Sequence, residues 1–242
     1  MSAMELDNIM TQRLLRAATP SGRARLRLAV YFRRLLWRLG RHSTALGKRL
    51  FDIVGSALLI AGFIPLLALI ALLIQCEDGG PVIFSQTRVG KFGRLFKMYK
   101  FRSMSVNAEA KMKELISSNQ HQTGVTFKMK DDPRVTRVGK WLRKLSLDEL
   151  PQLFNVFSGG MSLVGPRPPV PREVALYSQA DRRRLHVTPG ITCFWQVGGR
   201  AEIDFPHQVE LDVLYIERQC LWTDLVILLK TVPAVVGSKG AY

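Results

Sequence analysis

Hydrophobic and polar positions give the 242-residue chain three different rhythms. One run, Ile53–Ile74 (IVGSALLIAGFIPLLALIALLI), contains no ionisable side chain. About 20 apolar residues suffice for a helix to cross a bilayer core, so the run predicts membrane insertion. A buried core helix of a soluble protein is the competing reading, disfavoured by length. The run starts too far along the chain and is too long for a signal-peptide core. Near its middle, Gly62 and Pro65 weaken the helix, since a proline removes one backbone hydrogen bond and clashes with the preceding turn. A break at Pro65 and a re-entrant helix are therefore predicted, with a proline-kinked spanning helix as the alternative. Before the run, Leu28, Phe32, Leu35, Leu36 and Leu39 fall on one helical stripe, and Arg27, Arg33, Arg34, Arg38 and Arg41 lie off it. That is the pattern of an amphipathic helix lying in a membrane interface.

After the run the pattern shortens into alternating strands and helices, predicting a small α/β (α+β) domain. Pro81–Val89 and Leu95–Met104 read as strands joined by the turn Gly90-Lys91-Phe92-Gly93. Helical patterns cover Asn107–Ser118 and Val138–Leu145, with a polar loop to Asp132 between them, and another helix starts at Ser146. A Pro-rich turn, Gly165–Pro169, precedes a helix over Val170–Arg184. Thr188-Pro189-Gly190 opens a strand over Ile191–Val197, and helices over Glu210–Arg218 and Trp222–Val236 follow. The expected organisation is a basic arm (1–47), a re-entrant membrane helix (48–76) and a cytosolic domain (77–242).

Charge sharpens this picture. Lys and Arg number 35 against 19 Asp and Glu, a formal net charge of +16. Residues 1–51 contribute +9 and residues 88–144 contribute +11, while 52–87 and 145–242 sum to −3 and −1. Two basic blocks thus flank the apolar run, and Lys/Arg-rich flanks remain cytoplasmic, which places both ends of the run on one side. An arginine-rich arm also suits nucleic acid; the neighbouring apolar run favours anionic lipid. With 47% hydrophobic residues, wholesale disorder is excluded. Cys76, Cys193 and Cys220 fit neither a disulfide framework nor a zinc pattern, and His42, His121, His186 and His207 show no ligand spacing.

Ser146-x-x-Glu149 has the form of a capping box, which puts Asp148 and Glu149 in the first turn of a helix. Complementing the helix dipole is the plain reading of such a pair. Its company suggests more. Arg143 and Lys144 precede the pair, Arg167 sits in a Pro-Arg-Pro turn, and Arg88, Lys100 and Arg102 decorate the hairpin. Carboxylates among guanidinium groups suit a divalent ion and a diphosphate, and an aspartate can itself be a nucleophile toward phosphorus. Ser103 and Ser162 lack the partners of a serine nucleophile.

The runs Lys100-Phe101-Arg102-Ser103-Met104, Ser146-Leu147-Asp148-Glu149-Leu150-Pro151-Gln152, Gly165-Pro166-Arg167-Pro168, Thr188-Pro189-Gly190 and Trp195-Gln196, with Gly199-Arg200, closely resemble the bacterial sugar transferase family. These are the monotopic polyprenyl-phosphate phosphoglycosyl transferases, and the resemblance extends over about residues 48–242. Gly240-Ala241-Tyr242 resembles members that prime exopolysaccharide synthesis. The resemblance implies transfer of a sugar 1-phosphate from a UDP-sugar to undecaprenyl phosphate, releasing UMP, at the cytoplasmic face of the bacterial inner membrane. It implies Asp148 as the nucleophile and a ligand of Mg²⁺, with Glu149 orienting the nucleophile or the metal. Arg143 and Arg167 would hold phosphate oxygens, with Arg88, Lys100 and Arg102 on a phosphate-binding hairpin. Arg200 would contact the nucleotide, and Asp212 and Asp224 match acidic positions of the C-terminal pattern. Some members carry Ser-Pro at the membrane break where this chain has Ile64-Pro65. Nucleic acid has no part in this reading, and homo-oligomerisation is left open. A membrane-anchored, non-catalytic binder of nucleic acid or anionic lipid and a nucleotide-sugar pyrophosphohydrolase are the rival classes.

Overall fold

The computed structural model describes residues 20–106, 108, 132–199 and 203–237. Contacts divide the chain into residues 1–47 and 48–242. In the first unit, helix α1 (Pro20–Asp78) begins, with Leu28 and Tyr31 exposed. The side chains of Phe32, Leu35, Leu36 and Leu39 on the predicted stripe, and those of its arginines, lie outside the described residues.

In the second unit α1 continues from Lys48 to Asp78, and the stretch Ala45–Asp78 is long and apolar enough to cross a membrane. It is helical throughout, including Pro65, so the predicted break in the helix is not seen. A proline removes only one hydrogen bond, and the turns on either side keep theirs. Both ends of this stretch are fastened to the domain by polar contacts, and in its middle Ile60, Leu66 and Leu67 pack against the core on one side. At one end Arg49 Nη1 and Nη2 donate to the carbonyls of Val156 and Phe157 (2.7 Å each), and Asp52 accepts from Ser162 Oγ (3.0 Å) and Leu163 N (2.9 Å). At the other, Ile70 and Ile74 pack with Phe101 and Leu142, and Glu77 accepts from the backbone N–H groups of Arg137 (2.8 Å) and Val138 (3.2 Å). Between them Leu58, Leu59, Phe63 and Ile64 are exposed.

Strands β1 (Ile83–Val89) and β2 (Leu95–Phe101) form the predicted antiparallel hairpin, closed by a single 3₁₀ turn at Lys91–Gly93. Asn155 clamps the edge of β2: its Oδ1 accepts from Tyr99 N (2.9 Å) and its Nδ2 donates to Lys97 O (2.8 Å). Asn155 belongs to helix α3 (Gln152–Ser158), which buries Leu153 and Val156 against Met98, Met161, Leu163, Val164, Tyr215 and Ile227, the main core. Helix α2 (Arg137–Lys144) is capped by Thr136, whose hydroxyl accepts from Gly139 N (2.9 Å).

Strand β3 (Ser162–Val164) pairs in parallel with β4 (Gly190–Thr192). The backbones then approach so closely that a Cβ on Gly190 would lie 2.0 Å from Gly165 N, which only glycine permits. The predicted strand to Val197 stops at Thr192, and Phe194–Gly198 forms a short helix, α5. The reason is nonlocal: β3 ends at Gly165-Pro166 and offers β4 nothing further to pair with. The helix predicted over Val170–Arg184 is two pieces, α4 (Pro171–Ala175) and a 3₁₀ turn at Asp181–His186. Ser178 and Asp181 cap one another, with Ser178 N donating to Asp181 Oδ2 (2.8 Å) and Asp181 N to Ser178 Oγ (3.3 Å), and so restart the turn. Helices α6 (Phe205–Glu217) and α7 (Leu221–Val236) complete a mixed α+β fold. The predicted helix Asn107–Ser118 and the loop after it lie, but for Ala108, outside the described residues.

Candidate active site

The Asp-Glu pair is presented by a bent piece of chain. Ser146 adopts the left-handed conformation (φ 54°, ψ 22°) and its hydroxyl caps nothing, so the predicted capping box is not formed. Leu147–Glu149 is a single 3₁₀ turn, and α3 begins only after Pro151. Both carboxylates are instead directed into a cationic environment built by four separate elements.

Glu149 is the fastened member. Its Oε1 accepts from Lys100 Nζ of β2 (2.7 Å) and from Arg167 Nη2 of the Pro-Arg-Pro turn (3.0 Å). Burial pushes its carboxyl up, but Arg167 and Lys100 together outweigh this and hold it well below the usual carboxylate range. Asp148 is the free member. It is buried, its nearest cation is Lys100 Nζ at 3.8 Å, and among the described residues its carboxylate accepts no hydrogen bond. Burial raises its pKa, opposed chiefly by Lys100 and then by Arg143 and Arg167, while Glu149 adds to the rise. Two adjacent carboxylates thus have opposite characters set by their partners.

The arginines also divide. Arg143, near the end of α2, is held at Nε, which donates to Ser103 Oγ (2.9 Å). Its Nη1 and Nη2 carry no hydrogen bond among the described residues. Among the described residues Arg167 has only Nη2 engaged. Arg88 is already committed: Nη1 donates to Pro168 O (2.9 Å) and Nη2 to Gln86 Oε1 (2.7 Å). Burial, and then repulsion from Arg167, lower its pKa to about 10. Arg88 therefore braces the turn that carries Arg167, and Val89 N helps by donating to Pro169 O (2.9 Å). Arg102 is buried and paired with Asp78 at the end of α1. The two C-terminal acids are placed in ion pairs of their own. Asp224 is bound by Lys48 Nζ (2.6 Å) and Tyr215 Oη (2.8 Å), and Asp212 by Arg184 Nη2 (2.5 Å). Arg200 lies outside the described residues, and so do Gly240-Ala241-Tyr242.

No cluster of three metal-ligating side chains occurs among the described residues. Mg²⁺ nevertheless binds commonly through one or two carboxylates plus substrate phosphate oxygens, and the unbonded carboxylate of Asp148 is a donor of that kind. A buried free carboxylate beside Lys100, Arg143 and Arg167 can attack or coordinate at a phosphate whose oxygens the cations hold.

Residues 43–238 match the bacterial sugar transferase family. The chain belongs to the bacterial sugar transferase family. Among curated relatives, the galactosyl transferase CpsE of Streptococcus agalactiae is 49% identical over 205 residues, covering 83% of this chain and 44% of the relative. The undecaprenyl-phosphate galactose phosphotransferase of Salmonella typhimurium is 44% identical over 207 residues, 84% of this chain and 43% of the relative. The exopolysaccharide production protein ExoY of Sinorhizobium fredii is 42% identical over 200 residues, 81% of this chain and 88% of the relative. The chain therefore spans less than half the length of the first two and most of the third. The sugar transferase match includes every residue of the Asp148 cluster and the apolar part of α1, and leaves the first 42 residues outside it.

Two features of this sugar transferase site had no reading from sequence. Ser103, a member of the Lys100–Met104 run that lacks the partners of a serine nucleophile, holds Arg143. Gln86 holds Arg88, and the sequence gives no signal for it beyond its place two residues earlier on the same strand face.

Proposed function

We propose that this bacterial sugar transferase moves a sugar 1-phosphate from a UDP-sugar to undecaprenyl phosphate, as the first membrane step of exopolysaccharide or other surface glycan synthesis. Relatives bearing the names undecaprenyl-phosphate galactose phosphotransferase and undecaprenyl-phosphate glucose phosphotransferase support the reaction class. The observation that carries the reading is the buried carboxylate of Asp148, which accepts no hydrogen bond among the described residues, beside a Glu149 whose Oε1 is held by Lys100 and Arg167. In the proposed sequence Asp148 attacks the β-phosphorus of the UDP-sugar, the bond to the bridging oxygen breaks, and UMP leaves. An oxygen of the lipid phosphate then attacks the aspartyl-bound phosphorus, and the carboxylate departs unchanged. Arg143 and the unengaged nitrogens of Arg167 hold phosphate oxygens as charge shifts, and Lys100 keeps Asp148 oriented. Mg²⁺, held by Asp148 and the diphosphate, would supply further neutralisation of phosphate charge.

The second part of the proposal is that α1 enters the membrane and, by a bend around Gly62 and Pro65 that leaves the helix uninterrupted, returns to the cytoplasmic face, where the domain and the anionic lipids around the basic arm reside. Attachment of both ends of its apolar stretch to one domain supports this, because ends on opposite sides could not both reach it. Labelling cysteines placed before Leu50 and after Gly80 with an impermeant reagent tests it, and opposite-side labelling would refute it.

The chemistry is tested by UMP release from a panel of UDP-sugars, with and without undecaprenyl phosphate, by wild type and Asp148→Asn. Lipid-dependent release abolished by the substitution is expected. Lipid-independent turnover would indicate a pyrophosphohydrolase, and full activity in the variant would remove Asp148 from the mechanism.

A further inference from the structure

We propose that Ser103 is a positioning residue that aims the guanidinium of Arg143 at the substrate phosphates. The proposal deepens the transfer reading above and rests on it for the identity of the ligand. An arginine whose Nε is already bonded meets a phosphate end-on through its two Nη groups, and a five-donor group on a flexible stem needs a fixed point to present them. Ser103 Oγ takes Nε, the one nitrogen outside the fork, and leaves both Nη groups unbonded among the described residues.

The serine itself is held from several directions. Its carbonyl oxygen accepts from Thr136 N (3.1 Å), the cap of α2, and two residues on Ser105 N donates to Arg134 O (2.9 Å). Gly139 on the first turn of α2 lies so close that a Cβ there would sit 2.1 Å from the Ser103 carbonyl oxygen. Helix α2, which carries Arg143, is thus pressed onto the chain just beyond β2, the strand that supplies Lys100. One short run, Lys100 to Ser103, therefore places both a direct cationic neighbour of Asp148 and the support of another. The same run meets the end of α1, where Asp78 pairs with Arg102 and Glu77 accepts from the first N–H groups of α2. Ser103 is buried, so water is a poor substitute for its hydroxyl.

The test uses the full chain in nanodiscs, with UDP-galactose and UDP-glucose as donor probes and undecaprenyl phosphate as acceptor. Ser103→Ala is expected to lower turnover about 10–100-fold, the loss of a charge-assisted hydrogen bond, and Ser103→Thr to restore it to within a few-fold of wild type. The decisive arm is a cycle with Arg143→Lys, which has no Nε donor. Ser103→Ala should cost nearly nothing in that background, whereas a merely structural serine would cost the same in both. The ¹⁵N-edited Nε–H signal of Arg143, assigned by its loss in Arg143→Lys, gives a readout independent of transfer. It should be protected from exchange in wild type and Ser103→Thr and unprotected in Ser103→Ala. Additive losses in the cycle, or undiminished protection in Ser103→Ala, would overturn the proposal. Protection lost as expected in a protein that transfers neither sugar would refute the choice of these donors and leave the serine's role supported.

Discussion

Asp224 offers a test of whether the acidic positions of the C-terminal pattern serve the substrate or the fold. Its side chain is fully buried, Lys48 Nζ lies 2.6 Å from Oδ2, and the Tyr215 hydroxyl lies 2.8 Å from Oδ1 and 2.9 Å from the carbonyl of Val164. Lys48, whose side chain is 14% exposed, also donates to that carbonyl (3.1 Å). Asp224 thus ties the start of the apolar stretch of α1 to α7 and β3. Asp224→Asn keeps the shape and removes the charge, which leaves the ammonium group with a neutral partner in a nearly dry site. Breaking a buried pair from one side costs about 3–5 kcal/mol, and the partial exposure of Lys48 argues for about 3. For a domain of this size each kcal/mol moves the midpoint by about 2–4 °C, so a drop of about 6–12 °C is expected. Replacing both partners, as Lys48→Met with Asp224→Leu, should recover much of the loss, because neither charge is then left unpaired. Thermal unfolding in detergent, followed by tryptophan fluorescence, measures the stability. UMP release below the lower midpoint measures the KM for the UDP-sugar, which should stay within about twofold of wild type if no binding contact is lost. An unchanged midpoint together with a KM raised tenfold would refute the structural role and make Asp224 a substrate ligand.

Other outcomes follow from the same contacts. Glu149→Gln removes the charge shared by Lys100 and Arg167, and misplacing both should lower UMP release about 100-fold, while leaving two buried cations without their carboxylate should lower the midpoint by an amount comparable to Asp224→Asn; activity within twofold of wild type would refute its bracing role. Ser146→Gly relieves a left-handed residue that costs about 1–2 kcal/mol, so the midpoint should hold or rise, whereas Ser146→Val should lower both midpoint and turnover; a glycine variant less stable than the valine one would refute the strain. Burial raises the carboxyl of Asp212 to about 6, with Arg184 opposing the rise. A raised carboxyl stabilises the fold most below its unfolded value near 3.8 and loses that contribution as pH climbs through about 6, at most about 3 kcal/mol. The stability deficit of Asp212→Asn should therefore shrink between pH 4 and 7, and a deficit that grows would reverse the sign of the shift.

What could be read in advance was what short-range pattern fixes. The apolar stretch of α1, the hairpin with its turn at Lys91–Gly93, α2, and the last two helices all declare themselves through their own period and breakers. The strand expected to reach Val197 failed because its length is set by β3, which lies 26 residues or more away in sequence and ends at Gly165-Pro166. The helix expected over Val170–Arg184 failed at a cap formed by two side chains, Ser178 and Asp181, whose residue types suit a solvated helix face equally well. In the site, residue types predicted the company of Asp148 but not the division of labour within it. Asp148 and Glu149 are neighbours of the same chemistry, and only the left-handed Ser146 and the positions of β2 and the Pro-Arg-Pro turn decide that Glu149 meets the cations and Asp148 is left free. For the same reason Arg88 and Arg102 could not be separated from Arg143 and Arg167, since the difference lies in Gln86, Pro168 and Asp78.

That division gives the net charge of the site its meaning. Arg88, Lys100, Arg143 and Arg167 surround two carboxylates, and Arg88 carries the strain, since burial first and then the Arg167 charge lower its pKa to about 10. Glu149 relieves part of this by joining Lys100 to Arg167. It cannot relieve all of it, because four cations against two carboxylates leave an excess of two positive charges even when both acids are ionised. Buried like charges are held together only when the surrounding structure compels it, and here Ser103, Pro168 and Gln86 hold two of the arginines by neutral groups that cancel no charge. A fold gains nothing from such an arrangement in isolation. In the proposed reaction an incoming diphosphate would bring the missing negative charge, so the electrostatic cost built into the site would become binding energy for a phosphorylated ligand, while Asp148, hydrogen-bonded to none of these donors, would keep its lone pairs for attack.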